Sequence, residues 1–404
     1  MNHPSTGHTR ILVWMCVFIA VNQLGFGSVM PVLALYARSF DVGQSAIGLA
    51  IAIYGLARFL IAVPAGQLAD RAGRRGSLAL GGLITAAGNL LCAWAPTYAT
   101  FITARFIAGA GAGLVMITGQ IVLADITTPA NRGRAMAIYQ GVFLFAVGIG
   151  PLLGGVLAEH SGLAAPFVVY AGAGVVAAAL GWLRIPETKD HGRSEWSETA
   201  AALPPFAAQI RLLTGRLGFV LVSLISFVGA VARTGALFNI IPVLARDRLA
   251  LTTDRLGVGL ALASLVGLAF TYPSGVLVDR YGRKIVIVPA TLMSGVALTM
   301  FLVAPSYGWF LAACVVWSMA SGVSGAAPAA YAADIAPSGM NAAAMSAYRM
   351  LGDLGYVVGP LVLGAVTDLL GADAALGGTA VLLVAVAILF GRLAPETYRA
   401  GRVG

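Results

Sequence analysis

Long apolar runs separated by short polar breaks pattern almost the whole chain. The runs are near 20 residues, the length an α-helix needs to cross a bilayer's hydrocarbon core. They are continuous rather than alternating, and membrane β-strands are only about ten residues long and alternate. The pattern therefore predicts twelve membrane helices, over 11–36, 45–68, 77–95, 98–123, 135–158, 165–185, 218–244, 256–277, 285–304, 307–332, 343–367 and 375–393. An even number of spans puts both termini on one side. The run that starts after Arg10 extends to Tyr36, too long for the apolar part of a signal peptide, and reads as a retained helix.

Composition agrees with this class. Of the 404 residues, 59% are hydrophobic and 10% charged, with mean hydropathy +0.89. Soluble domains carry about 25% charged residues, so a soluble, disordered or disulfide-built protein is excluded. The net charge of +9 raises the question of nucleic acid. The cations are thinly spread between apolar runs, which argues against it. They record orientation instead. With the N-terminus inside, seventeen Lys and Arg fall in cytoplasmic segments and four (Arg38, Arg246, Arg248 and Arg255) outside. The positive-inside rule thus predicts cytoplasmic termini. Cys16, Cys92 and Cys314 lie in apolar runs. With only His3, His8, His160 and His191 beside them, no metal-ligand spacing appears. Neither a metal nor a cofactor is expected.

The longest polar stretch, from Pro186 to about Leu217, contains Glu187, Lys189, Asp190, Arg193, Glu195, Glu198 and Pro204-Pro205. It reads as a cytoplasmic linker, giving an N-terminal half at 1–185, a linker at 186–217 and a C-terminal half at 218–404. The halves repeat. Pro64-Ala-Gly66-Gln-Leu68-Ala-Asp70-Arg71-Ala-Gly73-Arg74-Arg75 returns as Pro273-Ser-Gly275-Val-Leu277-Val-Asp279-Arg280-Tyr-Gly282-Arg283-Lys284. The same register pairs Asp125 with Asp334, Met136 with Met345, Tyr139 with Tyr348, Gly150-Pro151 with Gly359-Pro360, and Glu159 with Asp368. The predicted fold is therefore all-α, two parallel pseudo-symmetric six-helix halves, a transporter architecture.

On these motifs the chain resembles the major facilitator superfamily over nearly its whole length. Gly66-x-Leu68-x-Asp70-Arg71-x-Gly73-Arg74-Arg75 is similar to that family's signature loop between helices two and three, and 275–284 to its second copy. Leu24-Gly25 followed by Pro31-Val32-Leu33 resembles the first-helix motif of the twelve-helix drug:proton antiporters, with Ala34 where that motif closes on Pro. Arg105-x-x-x-Gly109-x-Gly111 resembles their fourth-helix motif, with Ala108 where Gln is usual. Gly150-Pro151-x-x-Gly154-Gly155 resembles their fifth-helix antiporter motif, with Ala146 for its leading Gly, and Gly355-x-x-x-Gly359-Pro360 echoes it.

The resemblance implies a conformational latch at Gly66, Asp70, Arg71, Gly73, Arg74, Asp279, Arg280 and Arg283. In the loop, Gly66 would allow close helix packing, Gly73 a tight turn, and Asp70 a pairing with Arg or a helix cap. A plain topology-fixing loop is the alternative. Gly150, Pro151, Gly154, Gly155, Gly359 and Pro360 are implied as a hinge or smooth interface, against a packing kink.

Charge inside hydrocarbon defaults to function. The spans hold Arg58, Arg105, Arg233, Arg349 and Asp353. Arg349 and Asp353 are i, i+4 neighbours, and Arg58 is expected to join them in a cluster near the midplane. That cluster is either a static ion-pair network or a proton site. Arg105 is either a proton-relay helper, as its motif suggests, or satisfied by backbone carbonyls. Candidates for the substrate pocket are Asn22, Gln23, Phe26, Met30, Tyr54, Gln120, Tyr139, Gln140, Phe143, Arg233 and Asn239. Each is alternatively packing glue between helices. The excess of embedded Arg leans towards neutral, zwitterionic or anionic cargo.

The expectation is a monomeric secondary transporter of the cytoplasmic (inner) membrane, not an enzyme. Its partners would be lipid, protons and a small molecule, with no nucleic acid. Proton-coupled export of drugs or small metabolites leads. Uptake of a sugar or organic acid, and movement of a lipid-like substrate, are the alternatives.

Overall fold

A computed structural model describes residues 4–127, 132–189, 206–324, 327–337 and 340–397. His3, Asp190, His191, Arg193, Glu195, Glu198, Pro204, Pro205, Arg399 and Arg402 lie outside the described residues. Among those described there is no strand, and twelve helices are long and apolar enough to cross a membrane. We number them α1 (Pro4–Val29), α2 (Gln44–Ala72), α3 (Arg74–Ala93), α4 (Tyr98–Asp125), α5 (Arg132–Ser161) and α6 (Ala165–Leu183). The second six are α7 (Leu217–Leu249), α8 (Thr253–Tyr281), α9 (Lys284–Leu302), α10 (Tyr307–Ile335), α11 (Asn341–Leu370) and α12 (Ala372–Leu393). Large apolar side chains are bared along them, for example Val175 at 53% and Val381 at 69% exposed. Apolar surface on this scale suits lipid rather than water. The chain is an integral membrane protein.

Two spans depart from the expected form. The run 11–36 is not one helix: α1 ends at Val29, and a short helix, Leu33–Arg38, follows a turn. Pro31 has no N–H to continue the helical ladder. The turn closes instead through i−3 bonds from Met30 to Gly27 and from Val32 to Val29. In α7 the segment Ala232–Ile240 is π-helical. Thr234 stabilises it, its hydroxyl donating to Ala230 O at 2.9 Å and Tyr356 O at 3.2 Å. Single π stretches mark functional sites more often than regular helix does.

The chain divides into two compact units. The first holds Met1–Val42, Leu49–Ala200 and Thr252–Ala261. The second holds Gly43–Gly48, Ala201–Leu251 and Leu262–Gly404. Each sequence half therefore lends the first turns of one helix to the unit built mainly from the other half.

Glycine sets the packing inside each unit, as expected where helices meet without a hydrophobic drive. In the first, a Cβ at Gly109 of α4 would stand 2.5 Å from Tyr54 O of α2, and one at Gly150 of α5 would stand 2.5 Å from Gly27 Cα of α1. In the second, a Cβ at Gly359 of α11 would lie 2.7 Å from Val231 Cα of α7. The Gly-Pro motifs thus seat α5 on α1 and α11 on α7.

Candidate functional site

The signature loop is built around Arg74, which is 8% exposed at the start of α3. Its Nη1 donates to Asp70 Oδ1 at 2.9 Å and Ala69 O at 3.0 Å, and its Nε to Asp125 Oδ2 at 3.0 Å. Gly73, at φ +85°, makes the turn that only glycine takes without strain. Glycine has no side chain to cap α3. Glu187 does so from beyond α6, accepting from the backbone N–H of Arg74 at 2.9 Å and Arg75 at 3.3 Å. The N–H groups of Thr188 and Lys189 donate to the same carboxylate, each at 3.1 Å. Partial burial alone pushes its pKa up, but these four N–H donors outweigh that and hold it below the ordinary glutamate value. Thr188 closes the cluster with a 2.9 Å bond from its hydroxyl to Asp125.

The second unit repeats this arrangement. Arg283 Nη1 donates to Val278 O at 3.1 Å and its Nε pairs with Asp334 Oδ2 at 2.8 Å. Glu396 accepts from Lys284 N at 3.3 Å, and the Thr397 hydroxyl reaches Asp334 at 3.2 Å. Glu187 and Thr188 fall within the stretch that polarity alone reads as linker. Pro186-Glu187-Thr188 and Pro395-Glu396-Thr397 stand in the same register as the loops they cap. That register was the signal that would have found them. A Cβ at Gly66 would meet nothing within 4 Å among the described residues. Arg71 is exposed, and the side chains of Asp279 and Arg280 lie outside the described residues.

Deeper in the first unit sits a buried cation. Arg105 of α4 is 1% exposed, with its guanidinium carbon 4.4 Å from the centroid of the Tyr54 ring. Its Nε donates to Ala50 O at 3.1 Å, so the backbone-carbonyl reading holds for that one nitrogen. Nη1 and Nη2 make no hydrogen bond among the described residues. Tyr54 and Tyr170 share a hydrogen bond at 3.2 Å, and Phe26 stacks on Tyr54 at 5.6 Å. The geometry is a cation held by a ring face and one carbonyl, with its terminal N–H groups uncommitted. In a low dielectric such a group strongly favours an acceptor, above all an anionic one.

The other pocket candidates separate by burial. Asn22, Gln23, Met30, Tyr54, Tyr139 and Asn239 are buried, Phe26, Gln120 and Phe143 are half-buried, and Gln140 and Arg233 are exposed. Asn22 Nδ2 and Tyr139 Oη are buried with no hydrogen-bond partner among the described residues. Arg233 and Asn239 both lie on the π-helical stretch. Asn239 accepts from Gln44 Nε2 at 2.8 Å on its own Oδ1 and donates to Pro360 O at 3.2 Å. It is committed to packing within the second unit. Arg349 and Asp353 are both exposed on α11, and no ion pair joins them among the described residues. The order cation-then-anion is the weaker arrangement for an i, i+4 pair. Arg58 is half-buried on α2 of the first unit.

Twelve apolar helices, small-residue helix contacts and a repeated signature loop are the features of a polytopic membrane protein built from two related halves. The Major Facilitator Superfamily model matches residues 15–267 and 222–403, and the chain belongs to that family. It is a transporter and not an enzyme. An uncharacterized MFS-type transporter of Methanocaldococcus jannaschii is 22% identical over 89% of this chain and 91% of its own length. Multidrug resistance protein MdtL of Klebsiella pneumoniae is 22% identical over 72% of this chain and 73% of its own. Among solved structures, a D-xylose-proton symporter superposes with a TM-score of 0.75 at 17% identity, covering 95% of this chain and 98% of that one. At that identity the likeness is one of fold.

Proposed function

We propose that the protein is a proton-coupled exporter of small amphiphilic molecules, drugs or metabolites, working by alternating access in the cytoplasmic membrane. The observation that carries the reading is Arg105, buried beside aromatic rings with two terminal nitrogens that make no hydrogen bond among the described residues. A cation so placed supplies a polar anchor in an otherwise apolar, aromatic surrounding, the mixture an amphiphile needs. The likeness to a multidrug resistance protein supports export. The seventeen inward cations support cytoplasmic termini.

Asp353, the carboxylate within the spans, is the proton carrier in this reading, with Arg58, Arg105 and Arg349 as the cations that modulate it. Asp70 accepts from Arg74 on Oδ1 and its side chain is 71% exposed, which supports its role as a releasable latch. The paired Gly-Pro motifs serve as the interface along which helices slide, and Arg233 faces cargo.

The test is a panel of dyes, toxic amphiphiles and metabolites offered to proteoliposomes under an imposed pH gradient. Uptake driven by the gradient and lost in Arg105→Gln supports the reading; full transport by that variant refutes the role of Arg105. Deletion should sensitise cells to toxic amphiphiles. Failure to grow on a sugar or organic acid, without such sensitivity, would favour uptake instead.

A further inference from the structure

At the membrane end of the first unit that carries the signature loop, two Arg side chains lie on Trp rings. Arg75, the second residue of α3, has its guanidinium carbon 4.5 Å from the centroid of the Trp182 ring, and its Nε donates to Trp182 O. Arg184, which follows α6, has its guanidinium carbon 4.9 Å from the centroid of the Trp14 ring of α1. The α6 helix packs against both α1 and α3, so the two pairs gather at one helix end. Trp182 is 52% and Leu183 72% exposed there. No carboxylate pairs with either guanidinium among the described residues. Glu187 lies beside them, but its oxygens accept from backbone N–H groups, that of Arg75 among them.

The repeat separates what the fold requires here from what it does not. Lys284, the counterpart of Arg75, also reaches a backbone carbonyl, Ala394 O at 2.8 Å. Trp182 and Arg184, however, correspond to Gly391 and Leu393. The cation–ring pairs are therefore particular to the first half. A ring face holds a guanidinium in place without neutralising it. The planar fork of Arg matches the oxygens of a phosphate and is weakly hydrated. Trp favours the level where hydrocarbon meets headgroups, and Trp14, Arg75 and Trp182 lie close to the ends of their spans. Two placed cations with no carboxylate, next to bared apolar side chains, complement a phosphodiester carrying acyl chains.

We propose that this corner of α1, α3 and α6 is a binding site for an anionic phospholipid. The guanidinium groups of Arg75 and Arg184 hold its phosphate, and its acyl chains lie against Trp182 and Leu183. The site is separate from the one proposed for cargo, and its test involves no transport.

The full chain is reconstituted in phosphatidylcholine nanodiscs containing a minor fraction of one brominated lipid. Bromine quenches the fluorescence of a tryptophan it touches. Brominated phosphatidylglycerol should quench more than the same fraction of brominated phosphatidylcholine or phosphatidylethanolamine. The excess should shrink in Trp182→Phe, which removes the reporter. Each Arg lost should lower the preference for phosphatidylglycerol about fivefold, so that Arg75→Gln with Arg184→Gln abolishes it. Arg248→Gln, which removes a cation at the other membrane end, should leave it intact. Equal quenching by the three lipids, an excess that survives loss of both Arg, or one that falls equally in Arg248→Gln would overturn the proposal. Where the double variant fails to fold, Arg184→Gln alone must show the fivefold loss, about the value of one surface cation.

Discussion

Replacing Glu187 with alanine removes one carboxylate that accepts four backbone N–H groups. Charge-assisted bonds contribute about 1.5–3 kcal/mol each in mutational series, and a simple sum would be large. The residue is exposed, however, and water can take its place at each donor. Two of the donors, Arg74 and Arg75, begin α3, and the preceding residue, Gly73, has no side chain to replace the cap. The loss is therefore that of a helix cap, about 1–2 kcal/mol. This corresponds to roughly 5- to 30-fold faster amide exchange at the start of α3, as each 1.4 kcal/mol is a factor of ten. The sign with pH follows from the depressed pKa. The contribution is present above the ordinary glutamate pKa and fades as pH falls through the lower folded value. Glu187→Gln should thus exchange faster than wild type at neutral pH, and the gap should close in acid. Unchanged exchange in Glu187→Ala, or a gap between wild type and Glu187→Gln that does not narrow at all as pH falls below the ordinary glutamate value, would refute the reasoning.

Gly154→Val is expected to destabilise the first unit by about 1–3 kcal/mol, because a Cβ there overlaps the Ser28 backbone; thermal unfolding in detergent measures it, and wild-type stability would contradict it. Asn239→Ala removes the acceptor at 2.8 Å from Gln44 and the donor to Pro360 and should lower stability by about 1–3 kcal/mol, read the same way. Asp353→Asn should abolish movement driven by a pH gradient while leaving counterflow of substrate; retained gradient-driven transport would remove Asp353 from coupling. Arg233→Ala should weaken substrate affinity in a direct binding assay, and unchanged affinity would take Arg233 out of the pocket.

The spans and the repeat were legible because each is a property of sequence order. Twenty apolar residues in a row must be buried in lipid, and a repeated register survives in a single chain. Even so, Pro31 showed what a hydropathy run hides, since apolar character continues straight through the turn that ends α1. The π-helical stretch was not legible at all: it is stabilised by Thr234 bonding to Tyr356, 122 residues distant. Arg74 was expected to matter, yet its cap lies at Glu187, 113 residues on. Polarity sent that residue to the linker, and only the repeat register would have recovered it. Arg349 and Asp353 show the converse. Their spacing suggested a pair, but helix spacing sets only the proximity of the backbones, and among the described residues no ion pair joins the two exposed side chains.

The central claim, export in exchange for protons, is tested most directly by vesicle lumen pH. Inside-out proteoliposomes are prepared with an acidic lumen, a trapped pH dye and a transported amphiphile added outside. The account predicts that addition raises lumen pH, that Asp353→Asn abolishes the rise, and that the amphiphile accumulates inside. Further acidification of the lumen on addition of substrate, or accumulation with no proton movement, would contradict it.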